Sequence, residues 1–420
     1  HVAMDPTSGS DRVLGGAQDN GSVITGLDWG VTDVDQTAAF TLPRGGDGAA
    51  VAFGALPSNE FIFFFASQGG TLNRFDSATA SYDFGSAPFF TLAPSGSSSQ
   101  FVTYYYLDQD NPNAIYYAGL SILYLSDDAQ NVNRNTWTNV GALPISQNLR
   151  TFATTPGAYN PSTSNLFIGG QNGGLFRVPD PQNIVSLNVA AENITPSGAS
   201  TDSGSIVSGI AIHPTNPDIM LVVYANYGID NIFITSNATD ANPTWTLVER
   251  NLSSHSIRSA AITEVDGNIT YFVGTARGLY SSADPSTIDW SLEGVDEIGL
   301  AVVSQLVYRH ADAKLLVGTH GNGMFETTVG AALSIDEFAN ADVDIKIYPN
   351  PTIDKLTLLA KNSINVSAVP FEIYNLTGSL VKTGVTSFEG ELSTADLSAG
   401  MYLLRLEAED NPMSLKFVKK

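Results

Sequence analysis

Not one cysteine occurs in the 420 residues, so neither a disulfide framework nor a thiolate metal site is open to this chain. Basic residues are scarce. Nineteen Lys and Arg stand against 42 Asp and Glu, and the net charge of −23 argues against nucleic acid or an anionic membrane surface as partner. Lysine is nearly missing over most of the length, with Lys314 alone before residue 330. No run of about 18 apolar residues occurs, which excludes a transmembrane helix. There is no phosphate-binding glycine loop ahead of a helix and no serine-elbow motif. The sequence begins at His1 with neither an initiator Met nor a charged-then-apolar leader, which reads as the processed or truncated start of a secreted protein.

What is present is a globular chain with ample core, 43% hydrophobic and only 15% charged, and too long for one ordinary domain. Residues 315–327 read as two short strands around a glycine turn, and imperfect copies stand at 13–25, 166–178 and 271–281. Weaker copies occupy 63–75, 116–126 and 222–235. The glycines are evenly placed: Gly119 to Gly170 is 51 residues and Gly274 to Gly318 is 44. A period of about 40 to 50 residues, each holding several short strands, predicts the blades of a β-propeller.

Turn residues divide each repeat into strands A to D. Residues 204–251 show it best, with A at 206–213, B at 219–224, C at 231–235 and D at 244–249. Seven such sets fit windows near 1–45, 46–95, 96–146, 147–203, 204–254, 255–299 and 300–330. The last has no convincing strand D. In closed propellers the other terminus often supplies the missing strand, which here would have to precede His1.

Composition changes after Gly330, where seven of the eight lysines follow. The division expected is a propeller at 1–330, a linker at 331–342 and a small immunoglobulin-like β-sandwich at 343–420, making the whole chain all-β. Three C–D connections place a Ser/Asp turn shortly before Trp137, Trp245 and Trp290. They resemble a degenerate Asp-box, the Ser-x-Asp-x-Gly-x-Thr-Trp hairpin of the bacterial neuraminidase (BNR) repeat in sialidases and sortilin-like receptors, although none keeps the glycine. The resemblance implies a structural role, an Asx-capped turn with Trp packed between blades.

A more specific likeness lies in the tail. Ile347-Tyr-Pro-Asn-Pro-Thr-Ile-Asp-Lys-Leu356, Ile373-Tyr-Asn-Leu-Thr-Gly-Ser-Leu-Val381, Leu397-Ser-Ala-Gly-Met-Tyr-Leu-Leu404 and the basic end Lys416-Phe-Val-Lys-Lys420 resemble the type A C-terminal sorting domain of the type IX secretion system. That resemblance implies export across the outer membrane of a Bacteroidota cell, with the secretion machinery as partner. It implies an address rather than an activity.

With strand A at the axis, the B–C and D–A connections of every blade emerge on one face. That gathers Gln18, Asp19, Asn20, Gln68, Gln171, Asn172, Asn226, Tyr227, Arg277, His320 and Asn322 around one mouth, with Arg44 and Asp47 from the first D–A connection. Amides with a few charged and aromatic groups suit an extracellular glycan or protein ligand. The alternative is a glycoside hydrolase in which Asp19 and Asp47 flank a glycosidic bond as acid and base. Against it, Asp commonly caps tight glycine turns. A sialidase needs three convergent arginines, a Tyr with a Glu partner and an Arg-Ile-Pro signature; the signature is absent, and only Arg44, Arg277 and, less clearly placed, Arg150 or Arg258 fall in suitable loops. A family 74 hydrolase would place two aspartates between two propellers, and one propeller is visible. His320 has no second histidine in a neighbouring turn and reads as a surface group rather than a ligand. No cofactor is expected. Asp108, Asp110, Asp127 and Asp128 carry the oxygens calcium takes, yet complete no calcium loop.

Overall fold

Short alternating segments between Gly, Pro and Asx turns have no helical period to follow, and almost everything described folds into antiparallel strands. A computed structural model describes residues 1–25, 40–41, 46–330, 345–360, 368–375, 379–387, 390–408 and 411–420. The chain divides into two compact units, His1–Ala332 and Leu333–Lys420. The expected linker at 331–342 lies outside the described residues.

The first unit is a β-propeller of seven sheets, taken in sequence order as blades 1 to 7. Their first strands are Val2–Met4, Gly48–Ala55, Tyr105–Leu107, Leu149–Thr154, Ile206–Ile212, Ile257–Val265 and Val302–Arg309. Each first strand lies against that of the next blade, and the seventh returns to the first. Within each blade the strands follow sequence order outward, as in blade 5 with Met220–Ala225, Ile232–Thr235 and Thr246–Leu247. Blade 7 has three strands among the described residues, as its sequence predicts.

Burial explains the sequence pattern. Second strands such as Phe61–Ser67 and Met220–Ala225 read as unbroken apolar runs because neighbouring blades cover both their faces. First strands have one face at the axis, so Ile206–Ile212 alternates buried and half-buried positions. Phe53, Phe61, Phe63, Phe65 and Phe75 form one buried cluster with Leu14 of blade 1. Burying each such ring contributes about 1.5–3 kcal/mol.

Between blades the joints repeat. Trp137 Nε1 donates to Leu92 O at 2.8 Å, Trp245 Nε1 to Ile194 O at 3.0 Å and Trp290 Nε1 to Val248 O at 2.9 Å. Each acceptor lies in the blade before. Arginines reach the other way: Arg74 Nη1 donates to the carbonyls of Ala129 and Val132, and Arg177 Nη1 to those of Ala238 and Asp240. The expected outer strand 244–249 is only Thr246–Leu247, because the chain turns at Trp245 to make this joint.

The recurrent glycines have a steric cause. A Cβ on Gly274 would lie 2.6 Å from Val303 O, and one on Gly318 would lie 2.7 Å from Val2 Cγ1. Both sit at the end of a second strand where the next blade's first strand crosses, so the contact that joins blade 6 to 7 also joins 7 to 1. That last seam is reinforced by Arg309, which donates Nη1 to Asp5 O at 2.7 Å and holds Asp312 through Nε and Nη2. Gln305 Oε1 accepts from Val2 N, and Asp312 Oδ2 from Gly9 N. No strand is shared across it among the described residues.

The second unit pairs a three-stranded sheet, Ile345–Tyr348, Lys355–Ala360 and Glu391–Ser393, with a four-stranded one, Leu380–Val385, Pro370–Asn375, Gly400–Ala408 and Asn411–Lys419. Leu356, Leu358, Phe371, Ile373, Leu404, Leu406 and Phe417 fill the space between them as a sandwich core. The sequence pattern predicts strands at 343–348, 355–360, 369–375, 380–384, 388–392, 400–407 and 413–418, and the observed strands follow that order with ends shifted by a residue or a few. Residues 343–344 and 388–389 lie outside the described residues, and the observed part of the fifth is Glu391–Ser393.

Candidate functional site

Connections that enter a first strand and those that join second to third strands emerge at one end of every blade. Gln18, Asp19 and Asn20 form the blade 1 turn there and are exposed, with Asp19 at φ 64°. Asp19 N donates to Asp47 Oδ1 at 2.9 Å, and Asp47 N donates to Gln68 Oε1 at 2.8 Å. The Asp47 carboxylate is therefore tied to the neighbouring turn. Arg44 lies outside the described residues.

Gln171 and Asn172 turn the chain in blade 4, where both are half-buried. Tyr227, in the blade 5 turn, is 61% exposed, and its N–H is capped by Asn226 Oδ1. Arg277 is exposed in blade 6 and His320 and Asn322 in blade 7; Asn322 Nδ2 reaches back to Ile298 O at 3.5 Å. No group of three or more His, Asp or Glu side chains suited to a metal occurs among the described residues.

Five first strands break register near their start: between Gly48 and Val51 in blade 2, and in blades 4 to 7 by one extra residue turned out of the ladder at Arg150, Ser208, Arg258 and Ser304. Bulges re-aim a side chain where regular pairing would hold it. In blade 4 the bulge gathers a polar cluster around Arg150, whose partners Tyr104 and Asn148 the turn pattern did not supply. Arg150 Nη1 donates to Tyr104 Oη at 2.8 Å and Nη2 to Gln171 Oε1 at 3.0 Å. Its guanidinium carbon lies 5.0 Å from the Tyr104 ring centroid, a cation–π distance. Asn148 Nδ2 also donates to Gln171 Oε1, at 3.0 Å, and the His1 ring meets Tyr104 edge-on at 5.9 Å. A signal was present in sequence: Asn148-Leu149-Arg150-Thr151 and Ser256-Ile257-Arg258-Ser259 each put an arginine at the same repeat position.

Electrostatics differ between the two ends. Near the mouth, burial and then the charge of Arg277 hold the His255 imidazole below its usual range. Glu249, which accepts from Asn231 N at 2.8 Å, is raised by burial. At the far end, in the turn after the blade 3 first strand, burial pushes Asp108 up to about 7 against two backbone N–H donors, Asp110 and Asn111.

Comparison with known proteins separates the two units. Residues 346–420 match the family described as "Secretion system C-terminal sorting domain". The tail is a secretion sorting domain. A chain that carries it is exported by the type IX route to the outer-membrane surface or beyond. No curated protein sequence matches the chain. Among solved structures, the β-propeller domain of Cps50 (Swd1) from Myceliophteria thermophila is 14% identical, covering 78% of this chain and 96% of that one, with TM-score 0.50. That likeness concerns the fold alone. PorZ, a bacterial surface component of the type-IX secretion system of Porphyromonas gingivalis, is 13% identical over all of this chain and 51% of its own, with TM-score 0.38. The extracellular domain of a one-component system from B. thetaiotaomicron is 12% identical over all of this chain and 57% of its own, with TM-score 0.48. The chain thus spans about half the length of PorZ. No helix among the described residues is long and apolar enough to cross a membrane.

Proposed function

We propose that the propeller is an exported binding module that captures an extracellular ligand, glycan or protein, at the mouth, while the sorting domain serves only its delivery. The observation that carries this reading is the sharing of one end of the blades by exposed polar turns, among them Gln18, Asn20, Tyr227, Arg277, His320 and Asn322, and the bulged arginines of the first strands. Amides that donate and accept, beside aromatic rings, are the groups that fix orientation in polar ligand sites. The bond from Asp19 N to Asp47 Oδ1 supports binding over hydrolysis, because it commits one carboxylate oxygen to the backbone. The degenerate Asp-box reading is retained as a structural one, supported by the three Trp Nε1 joints between blades.

The test is binding of the full chain to an immobilised glycan panel and to purified surface proteins, repeated with Tyr227→Ala and Asn322→Ala. Both side chains are exposed, so the fold survives their loss. Ligands lost with these variants support capture at the mouth. Ligands retained by both variants, or turnover abolished by Asp19→Asn or Asp47→Asn, would sink the reading.

A further inference from the structure

We propose that the blade 3–blade 4 side of the mouth is a carboxylate-binding site and that the captured ligand is an acidic saccharide bearing uronic acid units. This deepens the capture reading and rests on it. The argument is one of unused hydrogen-bonding capacity. Gln171 Oε1 already accepts from Arg150 Nη2 and from Asn148 Nδ2, so its acceptor capacity is filled. Tyr104 Oη accepts from Arg150 Nη1, leaving its own O–H to donate. What this cluster still offers is nearly all donors: the remaining Nη N–H groups of Arg150, the second N–H of Asn148, the amide NH2 of Gln171 and the Tyr104 hydroxyl. A group rich in acceptors and without donors fits such a surface, and an ionised carboxylate is one.

Two independent observations point the same way. Arg150 Nε, Gln147 Nε2 and Gln100 Oε1 are buried without a partner at this same junction, where Gln100 Nε2 donates to Leu149 O. A partly desolvated guanidinium is expensive unless a counter-charge meets it. The second is the distribution of counter-charges. Arg12, Arg74, Arg177, Arg250 and Arg309 each have a carboxylate partner. Of the four arginines in no ion pair among the described residues, Arg150, Arg258 and Arg277 lie at the mouth, and the fourth, Arg134, stacks on Phe89. In a chain of net charge −23, three of these four cations thus stand where a ligand would enter. The surrounding amides and exposed turn residues match hydroxyl groups better than apolar peptide side chains, which favours a saccharide over an acidic peptide.

The experiment measures binding of the full chain to oligogalacturonate, alginate and hyaluronate fragments. Each is paired with its carboxyl-methylated counterpart, and poly-glutamate is a separate arm. The expected result is that at least one free acid binds and that its ester binds about tenfold or more weakly, the loss of one charge-assisted contact. Arg150→Gln should weaken the free acid by a similar factor. Arg258→Gln, at an exposed position that cannot unfold the blade, should weaken it to a smaller degree. Arg134→Gln, whose guanidinium lies over Phe89 away from the cluster, should leave it unchanged. Equal binding of acid and ester, no binding of any free acid, or preference for poly-glutamate each overturns the proposal. If neutral ligands bind instead and are lost with Tyr227→Ala, capture at the mouth stands while its acidic specificity falls; if nothing binds at that face, both fall.

Discussion

Replacing Asp108 by asparagine should stabilise the propeller at alkaline pH, and the size of the effect follows from its surroundings. Asp108 is 9% exposed, and its Oδ1 accepts from the N–H groups of Asp110 and Asn111 at 3.1 and 3.2 Å. Burial dominates these bonds and raises the carboxyl from 3.8 to about 7. For an acid the sign runs as follows: the folded state holds the proton more tightly, so stability tied to this group is complete below about pH 4. It is lost progressively as pH rises to about 7. Three pH units correspond to about 4 kcal/mol at the upper limit, and about 2–4 kcal/mol is expected once local relaxation is allowed. Asparagine keeps the Oδ1 acceptor and carries no charge. Urea unfolding of wild type and Asp108→Asn at pH 4.5 and 8.5 isolates the effect, because the other carboxylates cancel in the difference. The variant should be close to wild type at pH 4.5 and more stable by about 2 kcal/mol or more at pH 8.5. A difference that does not change with pH, or one favouring wild type at pH 8.5, would refute the reasoning.

Other outcomes follow from the joints and from the tail. Arg309→Ala leaves Asp312 without its buried partner and should cost about 3 kcal/mol in thermal unfolding, with hydrogen exchange rising first in Val2–Met4 and Met324–Thr328. Trp290→Phe removes the donor to Val248 O inside a buried joint and should destabilise by about 1–3 kcal/mol, read by chemical denaturation. Gly318→Val drives a side chain into Val2 and should destabilise by about 1–3 kcal/mol, whereas the same change at Gly321, where nothing lies within 4 Å, carries only the cost of its positive φ. Removing residues 346–420 should abolish appearance at the cell surface and in the medium, seen by fractionation.

Much of this architecture is readable in the residues because close packing makes it repeat. In four copies of the glycine hairpin the second-strand glycine lies where the next blade's first strand crosses, Gly16 against Ala49, Gly169 against Val207, Gly274 against Val303 and Gly318 against Val2, so these glycines mark blade edges in the sequence as they do in space. The outer strands were harder to place. Phe40–Thr41, Glu192–Asn193 and Thr246–Leu247 are two residues long, too short for alternation to register. The mouth was legible where it is built from turns, as at Gln171 and Tyr227. Arg150 was legible as a loop arginine, but the bulge that turns it toward Gln171 was not, because strand periodicity assigns that residue to a regular face. Tyr104 was hidden for a related reason: it ends the long connection 84–104, and only folding brings it to Arg150.

The seam between Val2 and Gly318 has a mechanical consequence. Among the described residues, six junctions of the wheel are backed by continuous polypeptide, while the seventh is held by contacts such as Arg309 with Asp5 and Gln305 with Val2. Tension applied to the two ends of the unit would load that junction first, and the wheel should uncoil from it one blade at a time. Single-molecule stretching would record this as an initial low-force opening followed by a series of similar steps.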